Sequence, residues 1–177
     1  DIFSVFDEYI NLANGRITAN LNKKGRYNKN YSRLKIDYLA KKIWQSHSRS
    51  VNYSELEDII IRDELEYFEG EDLLIYRDKV NGKETLSFPY DLMAGYIIAR
   101  SILADHTTKD EVITFICSND FRNKVLGPER HDLYDDILRC TIVILLKEHD
   151  LLLSDYIADD NIAAYCIRAI FEIEKSF

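Results

Sequence analysis

Leu73-Leu74-Ile75-Tyr76-Arg77-Asp78-Lys79-Val80-Asn81-Gly82-Lys83-Glu84-Thr85-Leu86-Ser87-Phe88 places two β-prone runs on either side of Asn81-Gly82. Asn-Gly is the pair preferred in a two-residue type I′ turn, because both central positions need a positive φ. Such a turn fixes the strand register. Pairing outward sets Lys79 opposite Glu84, Arg77 opposite Leu86 and Ile75 opposite Phe88, so Leu73, Ile75, Leu86 and Phe88 share one apolar face. A hairpin with a side to bury therefore interrupts a chain that otherwise reads as helical.

Upstream, Phe3, Phe6, Ile10, Ala13, Ile17 and Leu21 recur every three or four positions and predict a helix. The polar stretch 22–32 reads as an exposed loop, and a second helix is expected from about Tyr31 to Ser46. Ser54 with Glu57 matches the capping box, in which the two side chains satisfy orphan backbone donors at a helix start, so a third helix is expected from Ser54 to Gly70. Helices followed by a hairpin with a polar tip is the order of a winged-helix domain.

Downstream, Pro89 suits a first helical residue, and Tyr90 to Leu103 is apolar almost all round, as a central helix would be. Thr108 with Glu111 is a further capping box, opening a helix to about Cys117, and a brief helix from Asp120 to Val125 is stopped by Gly127-Pro128. Two longer helices are expected at about Asp132 to Glu148 and Ser154 to Lys175. The expected fold is mainly α: a winged-helix-like domain with one β-hairpin, then antiparallel helices like those of helical-repeat solenoids. The expected divisions are 1–30 for the first helix and loop, 31–105 for the winged-helix-like domain and 106–177 for the helical domain.

The chain has 177 residues, 46% of them hydrophobic, and a net charge of −8. That charge opposes non-specific attraction to nucleic acid or to an anionic membrane. Cys117, Cys140 and Cys166 are an odd, widely spaced set among apolar neighbours, which predicts three buried thiols in a reducing compartment. No stretch approaches the ~20 apolar residues of a membrane span, so a cytoplasmic protein is expected. The chain opens on Asp1 and its only methionine is Met93, which suggests a piece of something longer.

A winged helix raises DNA binding first, and charge argues against it. The helix before the wing would need cations for bases and phosphates. Residues 54–72 instead hold Glu55, Glu57, Asp58, Asp63, Glu64, Glu66, Glu69, Glu71 and Asp72 against Arg62 alone. The stretch 22–35 is different: Lys23, Lys24, Arg26, Lys29, Arg33 and Lys35 interleave with Tyr27 and Tyr31, a composition suited to phosphate or partner contact as well as to a solvated loop.

His47, His106, His131 and His149 fall in no metal-ligand spacing, so no metal site is expected. The acid pairs Asp135-Asp136 and Asp159-Asp160 read as helix-end and surface residues. No phosphate-binding GxxxxGK[ST] loop, GxGxxG turn or GxSxG elbow occurs, so no catalytic residue and no cofactor are assigned to this segment.

Phe88-Pro89-Tyr90-Asp91-Leu92-Met93-Ala94-Gly95-Tyr96-Ile97-Ile98-Ala99 resembles the segment that closes the winged-helix domain of NACHT-type and related STAND NTPases, where an aromatic-ended strand runs through His or Tyr into a helix. The preceding Glu69-Gly70-Glu71-Asp72-Leu73-Leu74 is similar to that family's entry into the wing. The resemblance covers about 34–103. It implies a non-catalytic segment between an upstream nucleotide-binding core, holding ATP or ADP with Mg, and a downstream helical-repeat sensor. Its partners would be other domains of the same chain and other proteins. Prokaryotic members of this organisation act in antiviral defence. The family's junction histidine reaches the nucleotide phosphate. Tyr90 holds that position here; it can donate a hydrogen bond but brings no cation, and a tyrosine with a satisfied hydroxyl is the plainer expectation. The residues alone also leave open a stand-alone helical adaptor, or a transcriptional regulator using 22–35.

Overall fold

A computed structural model describes residues 2–22, 30–71 and 75–174. The elements are α1 (Ile2–Asn22), α2 (Tyr31–Ser46), β1 (Ser50–Asn52), α3 (Arg62–Glu69), β2 (Tyr76–Val80), β3 (Lys83–Ser87), α4 (Asp91–Leu103), α5 (Lys109–Ile116), α6 (Asn119–Leu126), α7 (Tyr134–His149) and α8 (Asp160–Glu174). The molecule is mainly helical with a small antiparallel sheet in the order β1-β3-β2. Helix α2, strand β1, a 3₁₀ turn, α3 and the β2–β3 hairpin follow one another as in a winged helix.

The hairpin has the register set by its turn: Lys79 faces Glu84 and Arg77 faces Leu86, with φ of 51° at Asn81 and 78° at Gly82. Ile75, Leu86 and Phe88 are buried on the expected face, while Leu73 lies outside the described residues. The third strand went unread in the sequence. Ser50-Val51-Asn52 is too short to show a period, and pairing with β3 makes it a strand, with Val51 opposite Leu86 and both buried.

Three boundaries differ from expectation. Ser54–Glu57 does not open an α-helix: Tyr53–Glu55 is a 3₁₀ turn and α3 starts only at Arg62. Burying Tyr53, Leu56 and Ile60 together requires a folded-back turn, closed by the Tyr53 hydroxyl donating to the Ile60 carbonyl at 2.9 Å. Pro89 precedes α4 rather than entering it, because Tyr90 is extended and acts as N-cap. The last helix begins at Asp160 instead of Ser154, after a second 3₁₀ turn at Leu153–Asp155 that buries Leu153. The Thr108–Glu111 capping box, by contrast, forms in full.

Helix α4 is the axis of the molecule, with ten of its thirteen residues buried against α2 and α7. Gly95 permits the approach of α7: a Cβ there would meet the Asp136 backbone carbon at 2.6 Å. One core runs without a break from Phe3 to Ala169, across the expected division at 105/106. His131 ties the two stretches together. Its Nδ1 accepts from the Leu133 N–H at 2.9 Å, so Nε2 carries the proton and donates to the Ile43 carbonyl at 3.0 Å. Its ring stacks on Trp44 at 5.9 Å. No helix among the described residues is long and apolar enough to cross a membrane.

Candidate interaction surfaces

Helix α3 would read DNA in a nucleic-acid-binding winged helix, and here a buried ion pair holds it. Lys35 of α2, expected in the basic stretch open to a phosphate or partner, instead meets Glu64 of α3 at 2.7 Å, with side chains only 7% and 5% exposed. Glu64 also accepts from the Tyr31 hydroxyl at 2.9 Å, and the Lys35 ammonium lies 4.3 Å from the Tyr31 ring centre and donates to the Ile59 carbonyl. With one face of α3 anchored, Asp63 and Glu66 point to solvent beside the exposed Glu57 and Asp58. The one arginine of this stretch reaches across to the wing, with its side chain 58% exposed. Arg62 stacks over Tyr53 at 4.9 Å and donates to Glu84 at 2.8 Å, which holds the Glu84 carboxyl below its usual range. The outward face of α3 is therefore acidic, and its one arginine is already paired with a carboxylate.

Tyr90 stands at the junction of β3 and α4, 58% exposed. Its hydroxyl has no hydrogen-bond partner among the described residues. The structure adds a cation that the sequence did not suggest. Arg49, just before β1, pairs with Asp91, the residue after Tyr90, and its backbone N–H donates to Asp132 at 3.3 Å. The nearby Asp136 carboxyl is pushed up, first by burial and then by the charges of Asp91 and Asp135. Arg49 escaped the sequence reading because its place depends on β1.

Arg33 lies on α2, donating to Asn11 of α1 at 2.9 Å, and lines a cleft of about 340 Å³ with Asp37, Arg100, His106, Glu148 and His149. The floor is apolar, formed by Leu103 and Ile144. Arg100 pairs with Asp7 and donates to the Tyr96 hydroxyl at 3.0 Å; burial, then Glu148, pushes that hydroxyl up to about 12. Lys23, Lys24, Arg26 and Lys29 lie outside the described residues. Arg33 is thus seen in a cleft of mixed charge.

Asp159 caps α8 by accepting from the N–H groups of Asn161 and Ile162, and Asp135 accepts from Tyr165. Among the described residues no three His, Cys, Asp or Glu side chains are grouped to hold a metal ion. One cysteine departs from expectation: Cys117 is exposed, because it follows α5 as its C-cap, whereas Cys140 and Cys166 are buried. Burial pushes the Cys140 thiol up, which leaves it unreactive. No family model, no curated protein and no solved structure matches this chain.

Proposed function

We propose that the chain is a non-catalytic regulatory segment of a larger STAND-type signalling ATPase, acting in the cytoplasm and coupling an upstream nucleotide-binding core to a downstream sensor, as in prokaryotic antiviral defence. The observation that carries this reading is a winged-helix topology whose third helix is acidic outward, with its arginine spent on the wing. Such a surface favours a protein partner over a nucleic acid. Tyr90 supports the same reading, being exposed at the junction where the resembling family meets nucleotide. Arg49, paired with Asp91, puts a guanidinium at the same junction. ATP or ADP with Mg would belong to the core, not to this segment.

The experiment is to purify the full-length gene product and assay bound adenine nucleotide. Tyr90→Ala and Arg49→Ala should each speed ADP release by about tenfold, the effect of one charge-assisted hydrogen bond, and leave the melting temperature of the segment unchanged. A full-length product without nucleotide sinks the proposal. If it instead binds nucleic acid in a salt-sensitive way that Lys23→Ala and Lys24→Ala abolish, the regulator acting through 22–35 takes its place.

A further inference from the structure

Strand β2 is an outer strand of the sheet, and all five of its residues are exposed. The type I′ turn decides which backbone groups are free. Val80 and Lys83 flank it as a hydrogen-bonded pair, so Asp78 and Tyr76 direct their N–H and C=O groups at β3, and those of Arg77 and Lys79 point away from the sheet. The Lys79 N–H is taken by the Asp78 carboxylate at 2.7 Å. What remains is the Arg77 N–H and C=O and the Lys79 C=O, a short template for one more strand.

Charge decides what that strand is. Self-pairing is opposed: within Tyr76–Val80, each antiparallel register that engages these outward groups sets Arg77 or Lys79 against Arg77 or Lys79 of the other copy. An acidic strand is favoured instead. A cleft of about 560 Å³ beside the edge is lined by Arg62, Arg77 and Lys79 against Asp78 and Glu84. Glu84 is shared between Arg62 and Arg77, and Arg77 also pairs with Glu69 at 2.8 Å. The Lys79 ammonium has no ion-pair partner among the described residues. On the other face of β2, Tyr76 and Val80 are 53% and 49% exposed, two positions on either side of Asp78.

We infer that β2 is a docking edge for an extended segment of a partner protein that alternates acidic and apolar residues. Its carboxylates face Arg77 and Lys79, its apolar side chains cover Tyr76 and Val80, and its backbone pairs with Arg77. The inference stands apart from the proposed ATPase and does not depend on it.

An acetylated, amidated peptide alternating valine and glutamate, titrated into the chain while backbone amide resonances are recorded, tests the edge. Shifts should concentrate at 76–80, and hydrogen exchange at the Arg77 amide should slow. Lys79→Glu should weaken binding about threefold or more, as loss and reversal of an exposed ion pair would. Arg77→Pro is tolerable on an edge whose N–H faces solvent and should cost about fivefold beyond Arg77→Ala, one backbone hydrogen bond. The inference is overturned by the absence of shifts at millimolar peptide, by shifts centred on another element, or by equal binding of a peptide with lysine in place of glutamate. Unchanged affinity in a folded Arg77→Pro variant also overturns it; if that variant does not fold, exchange at the wild-type Arg77 amide decides.

Discussion

Lys35 and Glu64 show how a single pair of residues sets the orientation of α3. Neither is legible as a pair in the sequence, because a lysine on a helix face and a glutamate among many others both read as surface charge. Burial changes their energetics. Two charges out of water tolerate the loss of either one poorly, whereas an apolar pair of similar volume can replace both. Lys35→Met takes the ammonium from a buried carboxylate and should lower unfolding free energy by about 3–5 kcal/mol. The double variant Lys35→Met/Glu64→Leu should return to within about 1 kcal/mol of wild type, because no buried charge remains. Urea unfolding of the three proteins measures both values, and a double variant no better than the single one refutes the account.

At the scale of the element, the α4–α7 contact depends on one missing methyl group. Gly95 faces the Asp136 backbone, which cannot rotate aside as a side chain could. Gly95→Ala should therefore destabilise by about 1–3 kcal/mol through overpacking, despite the better helix propensity of alanine. Gly15 on the exposed face of α1 is the internal control, since a Cβ there meets nothing within 4 Å. Gly15→Ala should stabilise by up to about 1 kcal/mol. Opposite shifts of the urea midpoint at constant slope are the expected result. Elements were legible where the signal is local. The Asn81-Gly82 turn needs positive φ at both positions, and the Thr108–Glu111 box closes on itself within one helical turn. The Ser54–Glu57 box fits the same pattern, yet Tyr53, Leu56 and Ile60 reach the core only if the chain folds back, and their burial outweighs the cap.

For the molecule as a whole, His131 joins the winged-helix part to the helices that follow. It is fully buried, and burial holds its imidazole below the ordinary value of about 6.5. The sign follows from linkage: the folded state keeps the ring neutral while the unfolded chain takes up a proton. Its contribution is complete above about pH 6.5 and is lost as pH falls from there through the folded value. Protonation would also turn Nδ1 from an acceptor into a donor facing the Leu133 N–H. His131→Asn should thus be less stable than wild type at pH 7.5, and the gap should narrow by pH 5. Paired thermal melts measure it, and a gap that widens on acidification excludes this role.

The sequence alone determined the hairpin with its register, the α1 and α2 boundaries, the complete capping box and the acidity of the stretch before the wing. Each rests on neighbours within a few positions, where backbone geometry and periodicity act directly. Only tertiary structure decided the third strand, the folded-back turn after it, the burial of Lys35 with Glu64, the close passage at Gly95 and the cation beside Tyr90. In each of these the deciding partner lies far along the chain, as Ser87 does for Ser50 and Asp91 for Arg49. A short apolar or charged run has no period of its own to reveal that partner, and its state is fixed by the surface it must bury or the charge it must meet.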